Sequence, residues 1–380
     1  MKKIFAIIVL LNAFVYSSYS QIELEKKETK KPSIELVFCL DATGSMSGLI
    51  RTAKEKIWEI VSVMSQTNPT PKIKLGFIFY RDITDEFITK TYPLTENIDS
   101  VYSQLLLIEA QGGGDTPESV NQALNEAVQT MNWSESAYTY RTIFLVGDCP
   151  PHMDYQQDVK YETSCKIATK KQIIINTIKL GVSCTDAIMH FQNIASMSKG
   201  EYIALGQNAD DVIINTPYDD SILYYSNSID RSKIYYGTEE KINTNQINKD
   251  ETMNLYKHSS KNALADRASF NVSETGKENF FGVNELIQDI ILNKVVFDSI
   301  PEDQLPPTLK KLSKSERKIK IKELVHQRTS DFAHLLRLTK ERDLFIQFKK
   351  KEMNNSNTFS SNIYEIVKKQ ALTFGIVFKN

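Results

Sequence analysis

The chain has 380 residues, 46 basic against 47 acidic side chains, a formal charge of −1 and 41% hydrophobic residues. That length allows one well-buried core and a second, smaller module. The balanced charge excludes the electrostatic footprint of a nucleic-acid-binding protein.

Lys2 and Lys3 precede an apolar run over 4–16, and Ser18-Tyr19-Ser20 supplies a small-x-small pattern before Gln21. This reads as a secretory signal peptide, residues 1–20, cleaved near Ser20-Gln21. The run is short for a bilayer span, and no later segment is apolar for long enough to be one. The expectation is a protein that is secreted or held in the periplasm or cell envelope. A polar lead covers 21–32. Export permits disulfides, and Cys39, Cys149, Cys165 and Cys184 allow three full pairings, among which sequence does not choose. Cys39 sits within an apolar run and reads as a small buried residue. The spacing of the four fits no zinc pattern.

Residues 34–40 form a continuous apolar run of strand length. Over 47–65, Leu49, Ile50, Ile57, Ile60, Val61 and Met64 recur at helical spacing. A strand at 73–80 and a weaker one at 87–92 follow, then helices at 98–107 and 117–131. Next come a strand at 142–147, a polar helix at 158–171, a strand at 173–181, a helix at 186–198 and a last strand at 201–205. Uninterrupted apolar strands separated by amphipathic helices predict an α/β fold over 33–206: a doubly wound, mostly parallel sheet covered on both faces. Sites in such sheets lie at the carboxyl ends of the strands.

Residues 207–282 read as a connector with partial helix, of which 226–261 is polar with little periodicity and is expected to be loop or partly ordered. Residues 283–380 are expected to be mainly α-helical. Ser313 and Glu316 are spaced as a capping box. The helix they open runs to about 352, with Ile319, Leu324, Val325, Phe332, Leu335, Leu336, Phe345 and Ile346 as its apolar stripe. That stripe folds back on the domain in the favoured reading, or pairs with another chain. A last helix is expected at 361–373, before a short apolar ending.

Three segments place oxygen donors at strand ends: Asp41, Thr43 and Ser45 after the first strand, Thr116 within "GGGDTPES" at 112–119, and Asp148 after "TIFLVG". In a doubly wound sheet these ends share one edge, so the five can converge. Hard oxygens without nitrogen or sulfur suit Mg2+ best, with Mn2+ or Ca2+ also accommodated. Glycines 112–114 allow close backbone approach, and Pro117 fits the first turn of the next helix.

"DATGSM", "GGGDTPES" and "LVGDCPPH" together resemble the von Willebrand factor type A domain with its metal-ion-dependent adhesion site, here in a bacterial-type secreted form with a helical C-terminal region. The resemblance implies Asp41, Thr43, Ser45, Thr116 and Asp148 as the metal set, with Thr43 in place of the commoner Ser. The Cys-Pro-Pro-His run replaces the frequent Gly and implies a differently shaped rim. "FYRDITDEF" at 79–87 is similar to a segment of the same branch, whose Arg81 either lines the site or makes a structural ion pair. Asp82, Asp115, Glu118 and His152 are candidates for the rim, with His152 expected to be exposed and Glu118 placed to favour a helix dipole. The implied function is cation-dependent binding of a protein partner that offers an acidic side chain, or of a polysaccharide. No catalytic residues stand out, since neither a phosphate-cradling loop nor a nucleophile–base pair accompanies the set. A metal-dependent hydrolase, a kinase-related protein and a scaffold acting through the C-terminal helices are the competing classes. The oligomeric state is left open.

Overall fold

The computed structural model describes residues 31–209, 211–353 and 357–378; the signal-peptide reading of residues 1–20 lies outside them. Six strands form the main sheet: β1 (Ser33–Asp41), β3 (Lys72–Tyr80), β4 (Thr89–Thr95), β5 (Thr139–Gly147), β6 (Ile173–Leu180) and β7 (Tyr202–Leu205), in the order β4-β3-β1-β5-β6-β7. All neighbours run parallel except β4, which is antiparallel on β3. Along β1, Leu36, Phe38 and Leu40 enter one apolar core while Val37 and Cys39 enter the other. Burial on both faces is why the strand is a continuous apolar run rather than an alternating one.

The helices threaded between these strands are α1 (Ser47–Met64), α2 (Ile98–Leu107), α3 (Val120–Gln129), α4 (Tyr161–Lys170) and α5 (Ala187–Met197). One core packs α1 and α2 on the sheet; the other packs α3, α4 and α5. Pro117 lies three residues before α3, not in its first turn as expected. Glu118 bridges Pro151 there and keeps the chain extended.

The region beyond 206 departs most from expectation. Helices α6 (Asp219–Arg231), α7 (Glu239–His258), α8 (Lys261–Asn271), α9 (Glu274–Phe281), α10 (Leu286–Ile291), α11 (Pro307–Lys310), α12 (Lys314–Met353) and α13 (Phe359–Ala371) fill it. The segment 226–261, expected as loop, is largely helix. Its polar sequence is held by a Thr238 cap, with Lys249 Nζ donating to the Arg231 and Lys233 carbonyls at 2.9 and 2.7 Å. Apolar side chains of α6, α8, α9 and α12 share one core, and Leu286, Ile287, Leu305, Leu309 and Ile321 form another.

Helix α12 opens with the expected capping box: Ser313 N donates to Glu316 Oε2 (2.8 Å) and Glu316 N to Ser313 Oγ (3.3 Å). Its expected stripe is only partly correct. Leu335 is buried, but Ile319 is 59% exposed. The buried face instead repeats every seven residues as Ile321, Arg328, Leu335 and Arg342. Arg328 reaches Glu285 (3.1 Å); Arg342 reaches Asp219 (2.8 Å) and Asp266 (2.6 Å). The face is amphipathic in a way that a search for apolar residues does not detect.

Helix α13 returns to the sheet, on the same face as α1, and Phe359 packs 6.4 Å from Phe38 between ring centroids. Gln370 is buried against the strands. It accepts from Tyr140 Oη (2.6 Å) and donates to Asn176 Oδ1 (2.8 Å). Two residues past the last turn, β8 (Val377–Phe378) pairs antiparallel with β2 (Thr67–Asn68). Gln370→Ala leaves the buried Tyr140 hydroxyl without its acceptor, while Asn176 keeps Thr142 and Glu201. The substitution is expected to cost about 1–3 kcal/mol in urea denaturation of the full chain. No helix among the described residues is long and apolar enough to cross a membrane.

Candidate metal centre

Strand β1 delivers Asp41 to the carboxyl edge with its side chain fully buried. Asp41 Oδ1 accepts from Thr43 N (2.9 Å) and Thr43 Oγ1 (2.7 Å), a closed turn that fixes the carboxylate. Thr43 Oγ1 is 3.3 Å from Ser45 Oγ, and Ser45 opens to solvent. The other oxygen, Asp41 Oδ2, is buried without a hydrogen-bond partner. It lies against Gly147, where a Cβ would sit 3.2 Å from it and 2.4 Å from Tyr80 Oη. A side chain at 147 would therefore close the space between the ends of β1 and β5.

Strand β5 delivers Asp148, whose Oδ1 is likewise buried and unpartnered. Its Oδ2 accepts from Gln207 Nε2 (3.1 Å), and the same nitrogen reaches Ser45 O at 3.5 Å. Gln207 was not anticipated. Its signal is positional: it lies two residues beyond β7, at the sheet edge that carries the other ligands.

The glycine-rich loop crosses this edge closely. Gly44 N donates to Gly112 O (3.1 Å), and Gly112 has φ of 81°, where an added Cβ would lie 2.1 Å from Asp85 Oδ1. This loop brings in Glu118, whose Oε2 is a third buried, unpartnered carboxylate oxygen. Thr116 is exposed on the loop, and among the described residues its hydroxyl makes no hydrogen bond to Asp41, Thr43 or Asp148. Asp41, Thr43, Ser45 and Asp148 are thus brought together, and the charge of the Glu118 carboxyl is felt with those of Asp41 and Asp148.

Burial pushes the Asp41 carboxyl up to about 7, against the Thr43 hydrogen bonds that hold it down, with Asp148 and Asp85 adding repulsion. Burial pushes Glu118 further, up to about 10, reinforced by Asp41, Asp82 and Asp148. Three inward carboxylates with unpaired oxygens cannot all ionise together at low cost. A divalent cation beside them would relieve that repulsion, and the donor set of carboxylates and hydroxyls fits a hard ion.

The remaining rim residues form a second layer. Arg81 is structural: Nε donates to Ala42 O (3.0 Å), Nη2 to Glu109 O (2.7 Å), and the guanidinium lies 4.2 Å above the Phe87 ring. It ties the exit turn of β1 to the chain that enters the glycine loop. Asp82 accepts from Ser119 Oγ (3.1 Å) and from Tyr155 Oη (2.9 Å to Oδ2). His152, expected to be exposed, is 3% exposed. Its backbone N donates to Glu118 O, and Glu118 N donates to Pro150 O, so the Pro-Pro-His run is laced to the glycine loop. A disulfide joins Cys149, next to Asp148, to Cys184; Cys39 and Cys165 are free and buried.

A doubly wound sheet whose carboxyl edge gathers buried carboxylates and hydroxyls is an α/β domain with a donor set fit for a metal ion. The family model for the von Willebrand factor A domain matches residues 35–216, the segment that holds the carboxyl-edge cluster and all of the sheet but the first two residues of β1. An ariadne-like RING finger protein of Acanthamoeba polyphaga mimivirus is 31% identical over 119 residues, 31% of this chain and 11% of that protein. Among solved structures, proximal thread matrix protein 1 from the mussel byssus aligns at 13% identity over 47% of this chain and 43% of that one, with a TM-score of 0.37. The same mussel protein with a zinc-occupied MIDAS motif aligns at 15% identity over 46% of this chain and 42% of that one, with a TM-score of 0.36. The chain thus spans about a tenth of the length of the mimivirus protein and under half of the mussel protein.

Proposed function

We propose that this is an exported, divalent-cation-dependent binding protein whose cation, Mg2+ by the hardness of the donors, takes an acidic side chain from a protein partner. The observation that carries the reading is the set of unpaired buried oxygens on Asp41, Asp148 and Glu118. The exposed Ser45 beside them leaves an open side from which a partner's carboxylate can approach. Asp41, Thr43, Ser45, Thr116 and Asp148 would hold the ion, with Glu118 close by. The cation would supply residual positive charge for an anionic ligand.

Export is supported by the N-terminal sequence and by the Cys149–Cys184 bridge, a bond that persists in oxidising compartments. Binding rather than turnover is the reading taken from a centre that stays open to solvent at Ser45. A phosphoesterase activity lost in Asp148→Ala would reverse that view. The direct test is capture from native envelope or extracellular material on immobilised full chain. The expected result is a partner retained in Mg2+ and released by EDTA. The reading fails if Asp41→Ala retains full metal-dependent capture. Uronic-acid polysaccharide in place of protein in the eluate would change the partner class and leave the cation's role intact.

A further inference from the structure

Beside the centre already described lies a group of side chains of different chemistry. Asp82 follows β3, Asp115 stands on the glycine loop and His152 follows β5, and one ligand atom from each falls within 4.8 Å of the others. His152 is buried, yet its Nε2 has no hydrogen-bond partner. That nitrogen is aimed between Asp82 Oδ1 at 3.5 Å and Asp115 Oδ2 at 3.7 Å. These separations are too long and too poorly aligned for hydrogen bonds. They are close to the roughly 3.4 Å that two ligands bonded at about 2.0–2.1 Å to one tetrahedral ion would have.

The surroundings hold these groups as a metal site's outer layer does. His152 Nδ1 lies 2.8 Å from Asp154 Oδ1, which makes Nδ1 the protonated nitrogen and turns the Nε2 lone pair toward the two carboxylates. The imidazole is stacked on Tyr155 at 3.7 Å and 8°, and its backbone carbonyl accepts from Asn121 Nδ2 (2.7 Å). Asp82 is oriented by Ser119 Oγ and Tyr155 Oη. A lone pair facing two carboxylates with no donor between them is repulsive. An imidazolium would face the same oxygens without forming a proper hydrogen bond.

We propose that His152 Nε2, Asp82 and Asp115 form a second cation site, separate from the adhesion-type centre. With one imidazole nitrogen, two carboxylates and an open fourth position toward solvent through Asp115, it selects a transition-series ion of the Zn2+ type. Asp115 is 60% exposed, so the site can fill without unfolding the loop. Glu118 stands between the two centres. Its carbonyl accepts from His152 N, and its carboxyl senses the charge of both Asp41 and Asp82.

The test is Zn2+ and Co2+ titration of the purified full chain, with metal content measured after dialysis. Three variants accompany it: His152→Gln, Asp115→Asn and Asp41→Asn. Asp115→Asn is a surface change, expected to leave folding intact because the side chain is 60% exposed. The expected wild-type result includes a Co2+ complex with the intense visible absorption of four-coordinate geometry. His152→Gln should abolish that absorption and remove one equivalent of Zn2+. Asp115→Asn should weaken Zn2+ by about 10–100-fold. Asp41→Asn should keep the absorption, because it touches only the other centre. Equal metal content and equal spectra in wild type, His152→Gln and Asp115→Asn would overturn the proposal. A chain that loses all bound metal in Asp41→Asn alone would also overturn it. Retention of the cobalt spectrum with no Mg2+ response anywhere would uphold this site while defeating the Mg2+ reading of the first.

Discussion

At pH 8, Mg2+ at about one hundred times its dissociation constant is expected to stabilise the full chain by about 2.7 kcal/mol. Most of that gain should be gone at pH 5. The cause is the Asp41 carboxyl, which burial pushes up to about 7 in the ion-free chain. A raised acid means that the folded state holds a proton that the unfolded chain gives up near 3.8. Stability of the ion-free chain therefore falls as pH rises from about 4 to about 7. Below 7 the ion must displace the proton, and its apparent affinity drops about tenfold for each pH unit. Two units lower, the same Mg2+ concentration sits near the dissociation constant and contributes only about 0.4 kcal/mol. Calorimetric melting at pH 8, 7, 6 and 5, with and without Mg2+, reads this directly. Asp41→Asn should melt at one temperature regardless of Mg2+. Equal Mg2+ shifts at pH 5 and pH 8 would contradict the assignment.

Arg267→Leu is expected to destabilise the chain by about 3–5 kcal/mol, because it removes the guanidinium shared by Asp99 and Asp230 and leaves Asp230 with Lys233 alone. Arg267 sits on α8, fully buried. It takes Asp99 of α2 with two hydrogen bonds of 2.6 Å and Asp230 of α6 with one of 2.9 Å. Burial alone would raise Asp230, but Arg267 and Lys233 outweigh it and hold the carboxyl down to about 2. A depressed acid contributes stability that is complete above its unfolded value of 3.8 and is lost as pH falls toward 2. The wild-type chain should therefore lose stability over that acid window, and Arg267→Leu should lose less there, having little left to lose. Urea denaturation at pH 7 and pH 3 measures both effects. Because Arg267 joins a helix of the sheet domain to two helices of the C-terminal region, a single cooperative transition is expected in the wild type.

The sheet was legible because strands buried on both faces leave continuous apolar runs, and 34–40, 73–80 and 142–147 are such runs. Asp41 and Asp148 were legible for the same reason: an acid that ends a buried strand stands out. Helix α7 was not legible, since only Asn245, Thr252 and Leu255 are buried along its twenty residues. Its stability comes from caps and from polar ties to neighbouring helices, such as Thr252 to Asp99 at 2.7 Å, which no local pattern records. Helix α12 hid its inner face behind arginines. At the site, Gln207 and the buried imidazole of His152 were not legible, because they depend on how distant loops meet.

The return of α13 to the sheet has a consequence for how the molecule is made. The matched domain ends at residue 216, yet Phe359, Gln370 and β8 close one of its faces. On a ribosome adding about 5–20 residues per second, that face stays open for roughly 8–30 s after the rest of the sheet has emerged. During that interval Phe38 lacks its Phe359 neighbour and keeps its ring contacts within the sheet. That face of the sheet can close only once residues 359–378 have been made, so a segment far along the chain completes a domain that begins near residue 33.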